Sequence, residues 1–131
     1  MSDIIIPLNV EKEIEFEISK EFTAVHIGSG SVSVLATPSM ILFMEIASGT
    51  LAHEHLPEGY TTVGTNVCVD HLSAVLQGNT VTSRSTIIEV DRNKIVFSVE
   101  VVFNGEIIGK GTHTRFIVDE KRFLEKLKQK R

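Results

Sequence analysis

Between Ala36 and Ala52 the chain reads ATPSMILFMEIASGTLA, a stretch in which Glu45 is the single charged residue. Met40, Ile41, Leu42, Phe43, Met44 and Ile46 circle the axis of any helix formed here, and a helix that is apolar all round is a buried one. Thr37 is placed to cap it, and Pro38 suits a first helical position because its missing N–H would be unpaired there anyway. The pattern predicts a helix from Thr37 to about His55, wrapped by a sheet or sandwiched between a sheet and a partner subunit. An ionised carboxylate buried alone is costly enough to take up a proton instead. Glu45 therefore needs a partner, a wet cavity or a raised pKa. Each of these suits an acid, base or nucleophile, and the first also describes a Glu tied structurally to the backbone or to an Arg.

The remaining patterns are mostly those of strands. Ile14, Phe16 and Ile18 alternate with charged neighbours, and Val63, Val67 and Val69 share one parity on a strand ending near Leu72. Thr80–Val90 reads as a further strand. Ile95, Phe97, Val99, Val101 and Phe103 give the clearest alternation, and Asn104-Gly105 then signals a type I′ hairpin into a return strand over Glu106–Val118. Asp119 can cap a short closing helix. Gly28-Ser29-Gly30-Ser31 reads as a flexible loop. One long helix with consecutive antiparallel strands is an α+β arrangement, the helix covering one sheet face.

At 131 residues, with 42% hydrophobic and 23% charged residues, the chain has the size and composition of one folded domain spanning residues 1–131. A lone Cys68 rules out an internal disulfide or a Cys-based zinc cluster within one chain. Residues 1–119 carry a net −8 and residues 120–131 a net +4. An acidic body without aromatic-rich basic strands argues against general nucleic-acid binding. The start, MSDIIIPL, lacks the basic region and cleavage site of a signal peptide, and no stretch suits a membrane span, so the expectation is a cytoplasmic protein.

His71 shares strand parity with Val63, Val67 and Val69, which directs its ring inward. If it faces the helix that carries Glu45, imidazole and carboxylate together make a general base with an orienter, or a nucleophile with its base. Cys68 has the opposite parity and reads as a small filler. A hydroxyl at a helix N-terminus, as at Thr37, is well placed to hold a carbonyl oxygen or a water. Eight residues of ideal helix, however, set Thr37 and Glu45 about 12 Å apart along the axis. Both serve one site only if they flank a substrate, if Thr37 lies off the helix, or if two subunits contribute. His53 and His55, two residues apart, face apart on a helix and make a poor metal pair. His113 and Arg115 follow Gly109 and Gly111 on one strand face, where small residues allow close approach. Arg115 can there reach an acyl or phosphate group, or pair with a carboxylate.

Taken together, ATPSMILFMEIASGTLA, VGTNVCVDHLSAVLQGNTVT and GKGTHTRFIV resemble the fluoroacetyl-CoA thioesterase family of hotdog domains over about residues 34–118. The resemblance implies a hotdog fold, an antiparallel sheet wrapped around one long helix, pairing as a homodimer with acyl sites at the interface. It implies hydrolysis of an acyl-CoA by Thr37, Glu45 and His71, with coenzyme A as the leaving group and neither a metal nor a separate cofactor. Glu45 would be nucleophile or base, His71 the proton carrier and Thr37 the orienter, with Gly64 and Arg115 lining the acyl pocket. Gly64 lies off the parity of His71, so its backbone is the expected contributor. The segment before the helix, TAVHIGSGSVSVLA, lacks the aromatic residues of the fluoroacetate enzyme's lid, which favours a short acyl-CoA without fluoroacetyl selectivity. The competing readings are an acyl-CoA-binding module without catalysis, and a hotdog dehydratase or isomerase acting on CoA or carrier-protein esters.

Overall fold

A computed structural model describes residues 4–130. The first three residues of MSDIIIPL and Arg131 of the basic tail lie outside them. Strand β1 (Glu11–Glu17) leads through a single 3-10 turn (Lys20–Phe22) and a one-turn helix α1 (Ala24–Ile27) to the long helix α2 (Thr37–His53). Strands β2 (Tyr60–His71), β3 (Thr80–Asp91), β4 (Lys94–Phe103) and β5 (Glu106–Asp119) follow, and α3 (Glu120–Gln129) closes the chain. All pairings are antiparallel, in the order β1-β3-β4-β5-β2. This is the expected α+β hotdog arrangement, with the sheet wrapped around α2. Among the described residues, no helix is long and apolar enough to cross a membrane.

The turns follow from local chemistry. Asn104 and Gly105 take φ of 50° and 76°, the pair of positive values that a type I′ turn requires and that Asn-Gly tolerates best. Asp119 caps α3 by accepting a hydrogen bond from the backbone N–H of Arg122 at 3.2 Å. The helix α1 was not legible in the sequence. Thr23 caps it through the N–H of His26, and Gly28 closes it at φ 83°.

Met40, Phe43, Met44, Ala47 and Leu51 of α2 are fully buried against Val81, Ile87, Ile95, Phe97, Val99 and Val101 of β3 and β4. Phe43 stacks on Phe16 at 4.2 Å and meets Phe22 edge-on at 5.0 Å. The hydroxyls in this core are paired, Ser83 donating to the Phe43 carbonyl at 2.9 Å and Ser48 bonding Ser85 at 2.7 Å. The wrapping is incomplete in one chain. Leu42 is 40% exposed and Ile46 38%, so a stripe of α2 faces away from its own sheet. Strand β2 is an edge strand, and its residues Gly64–Cys68 are exposed.

Gly109 of β5 provides the close approach to the helix that its face suggested, whereas Gly111 makes room for the neighbouring strand β2. A Cβ at Gly109 would strike the Met40 sulfur, and one at Gly111 would strike the Cys68 carbonyl and Val69 Cα. Backbone cannot yield as a thioether can. Gly111→Ala is therefore expected to destabilise by about 1–3 kcal/mol and Gly109→Ala by less, as read from urea midpoints. Equal costs would show that the β2–β5 approach is not the tighter constraint.

Candidate active site

Three sequence expectations change at the site, each for a local reason. The first concerns Thr37. The N-cap of α2 is Ala36, which makes no side-chain capping bond, and Thr37 is already inside the first turn. Its hydroxyl does not serve the helix end and instead bonds His71 Nδ1 at 2.7 Å. The second concerns strand parity. A β-bulge falls between Gly64 and Asn66, and one extra residue reverses the alternation downstream. Gly64 pairs with Arg115, Val67 with His113, Val69 with Gly111 and His71 with Gly109. Gly64 thus shares the inward face with His71, while Val63, ahead of the bulge, faces the other way. The third concerns Cys68, which is exposed on the face opposite His71 and so fills no space in the core.

Glu45 is half-buried rather than sealed in the core. Its carboxylate lies over Gly64, where an added Cβ would stand 3.1 Å from Oε2, 3.2 Å from His113 Cε1 and 3.4 Å from Arg115 Nη1. Glycine at this position lets a carboxylate, an imidazole and a guanidinium converge on one strand. Glu45 and Arg115 border a cavity of about 620 Å³, also lined by Ile46, Gly49, Thr50 and Thr62. This is the wet-cavity outcome among those open to Glu45.

Arg115 is held by neutral acceptors. Its Nε donates to Thr62 Oγ1 at 2.7 Å, Nη2 to the Thr62 carbonyl at 3.1 Å and Nη1 to His113 Nε2 at 3.2 Å. Among the described residues it forms no ion pair within 4.0 Å. Burial lowers its pKa, against the opposing pull of Glu45.

Thr37 and His71 sit elsewhere, beside a second cavity of about 380 Å³ walled by Val32, Val34, Leu35 and Leu72. His71 Nε2 is buried and has no hydrogen-bond partner among the described residues, an unusual state for such an atom. Burial also lowers the pKa of His71. Within one chain, then, the sequence-predicted residues form two groups, Glu45 with Gly64 and Arg115, and Thr37 with His71. Thr62, Asn66 and His113 were not among the predicted site residues. The parity that links His113 to Arg115 was visible in the sequence, but the bulge that turns Thr62 toward them was not.

The fold is that of the hotdog proteins, and the relatives of this chain make it a thioester hydrolase. The profile of the fluoroacetyl-CoA-specific thioesterase family matches residues 18–121, and the chain belongs to that family. It is 32% identical over 97 residues to the fluoroacetyl-CoA thioesterase of Streptantibioticus cattleyicolor, an alignment covering 74% of this chain and 70% of that one. A variant of the fluoroacetyl-CoA enzyme solved with acetyl-CoA superposes with a TM-score of 0.88 at 26% identity, covering 95% and 98% of the two chains. A thioesterase superfamily member from Thermus thermophilus gives 0.85 at 27% identity, covering 99% and 97%.

Both histidines that burial shifts have pKa values below the ordinary 6.5. In the window between the lowered folded values and about 6.5, the unfolded chain binds more protons than the folded one, so stability rises with pH there. This stabilisation is fully present above about 6.5 and is lost as pH falls. The urea midpoint is expected to drop between about pH 7.5 and pH 5.5, and His113→Phe to flatten the drop. A midpoint independent of pH across this window would contradict the assignment.

Proposed function

We propose that this protein hydrolyses a short-chain acyl-CoA at a site completed by two copies of the chain, Glu45 coming from one and the Thr37–His71 pair from the other. The observation that carries this reading is the separation of the two groups. Each borders its own cavity, and one buried imidazole nitrogen lacks a partner. The free edge of β2 and the uncovered Leu42–Ile46 stripe of α2 are the surfaces that a second copy would cover. A two-fold antiparallel pairing of β2 with its copy, centred on Cys68, sets Val67 opposite Val69 and, past the unpaired bulge residue Thr65, Gly64 of one copy about opposite His71 of the other. Gly64 is the residue over which Glu45 lies.

The chemistry then follows from the hydrogen bonds. Glu45, open to a water-accessible cavity, takes a proton from water as the oxygen adds to the thioester carbonyl. Thr37 Oγ1 accepts the Nδ1–H of His71, which leaves its own hydroxyl proton for the carbonyl oxygen and leaves His71 Nε2 bare. The proton taken from water reaches the sulfur through Nε2 as the C–S bond breaks. The products are the free thiol of coenzyme A and a carboxylic acid, which ionises. Gly64 supplies room for the acyl carbonyl beside Glu45, and Arg115 turns its remaining N–H groups toward the same cavity. No separate cofactor is needed, because coenzyme A is part of the substrate.

Mixing inactive variants tests the shared site. Glu45→Gln and His71→Ala should each lower kcat/KM on acetyl-CoA by about 10²-fold or more, as expected for lost acid–base groups. Co-expressed, the two variants should recover about a quarter of the wild-type activity, because half the dimers are mixed and each has one intact site of two. Absence of recovery in verified mixed dimers would place the whole site in one chain. Full activity of both single variants would refute the hydrolytic set and favour an acyl-CoA-binding module.

The cavity beside Thr37 has aliphatic walls, Val32, Val34, Leu35 and Leu72, and no Phe, Tyr or Trp. This supports a short aliphatic acyl group without selection for fluorine. The ratio of kcat/KM for fluoroacetyl-CoA over acetyl-CoA is expected to match the ratio of their uncatalysed alkaline hydrolysis rates. A ratio a hundredfold or more above that reference would reveal fluoroacetyl recognition, a difference of about 2.7 kcal/mol between the transition states.

A further inference from the structure

His113 is the most deeply buried titratable group near the site, 1% exposed, and the hydrolytic chemistry leaves it without a task. Both of its ring nitrogens are engaged. Nδ1 lies 2.8 Å from the carbonyl oxygen of Asn66, the residue that closes the bulge in β2. Nε2 lies 3.2 Å from Arg115 Nη1. A carbonyl only accepts and a guanidinium only donates. Nδ1 must therefore carry the proton and Nε2 must be bare, so the two neighbours fix a single tautomer of a neutral ring. Phe97, its centroid 6.1 Å away and inclined at 28°, packs beside the ring. The charged groups acting on it are Arg115, from its own strand, and Glu45, from α2.

We infer that His113 is a positioning residue for the reaction, a neutral imidazole that locks the bulge of β2 and holds the Arg115 guanidinium beside Glu45 without neutralising it. The three acceptors that hold Arg115 are two oxygens of Thr62 and Nε2 of His113. A carboxylate in any of these places would cancel the positive charge. Neutral acceptors preserve it, and two of the five guanidinium N–H groups have no partner among the described residues. The same ring holds the Asn66 carbonyl, two residues from Gly64, and so fixes the strand at the point where Glu45 and Arg115 converge. This inference rests on the proposed hydrolytic site, since it assigns His113 a role through Arg115.

Three substitutions separate the two bonds. His113→Gln can keep an acceptor toward Arg115, His113→Asn can keep a donor toward Asn66, and His113→Phe keeps only the ring volume. With acetyl-CoA as probe, His113→Phe is expected to lower kcat/KM about tenfold, the scale of one lost bond to a charged group, and Gln to recover most of that loss. The double variant His113→Phe/Arg115→Gln should lose less than the product of the two single losses, because the bond between His113 and Arg115 is lost only once. Additive losses, or a Gln variant no better than Phe, would overturn the inference.

A measurement without turnover keeps this result distinct from the fate of the hydrolytic reading. Imidazole ¹⁵N spectra of the wild-type protein should show His113 neutral, with its proton on Nδ1, at pH 7. A proton on Nε2, or a cationic ring at that pH, would sink the inference even where hydrolysis is established. If Glu45→Gln and Arg115→Gln leave hydrolysis intact, the catalytic role of this cluster fails together with the positioning role of His113, whatever tautomer the spectra show.

Discussion

The need to cover α2 governs the rest of the molecule. A helix with apolar side chains around its whole circumference gains stability only where each side meets other apolar surface. One five-stranded sheet covers most of it and leaves the stripe of Leu42 and Ile46. Glu45 lies between those two residues in sequence, at the border of the covered and uncovered surface. The carboxylate is consequently neither sealed in the core nor free in bulk water. Its position at that border is what the proposed hydrolysis draws on in a single acidic residue of an apolar helix.

Much of this was legible in the residues. The buried helix, the Asn104-Gly105 hairpin, the capped closing helix and the inward ring of His71 all follow from period, turn chemistry and parity. The bulge did not, because strand alternation carries no mark of an inserted residue until the partner strand fixes the register. A glycine inside a strand hinted at an irregularity, and Gly64 stands beside it. Thr37 was misjudged for a related reason. Its type suits an N-cap, yet Ala36 occupies that position, since a backbone bond from the Met40 N–H to the Ala36 carbonyl already starts the helix. What neither period nor spacing could supply was the grouping of side chains, Thr37 with His71 and Glu45 with Arg115, because it depends on how far β2 runs past α2.

Electrostatically, the two groups are built differently. The Thr37–His71 pair holds no formal charge while the imidazole is neutral, and uncharged side chains line its cavity, aliphatic ones together with Ser29 and Ser73. The Glu45 group brings opposite charges to one cavity without an ion pair at contact distance, and its cation is held by neutral oxygens and an imidazole nitrogen. Direct pairing would have been the simpler way to bury both charges, but paired charges leave little field for a substrate.

The topology also bears on how the chain acquires its shape. β4 and β5 are joined by a two-residue turn, whereas β1 pairs with β3 across Glu11 to Thr86 and β2 reaches β5 across Gly64 to Arg115. Closing long loops costs more chain entropy than closing a hairpin, and contacts distant in sequence slow assembly. The central hairpins are therefore the natural nucleus, and the outer strands dock onto them afterwards. Because β2 carries both Gly64 and His71, each half of the proposed site forms only when the long-range pairing of β2 with β5 closes.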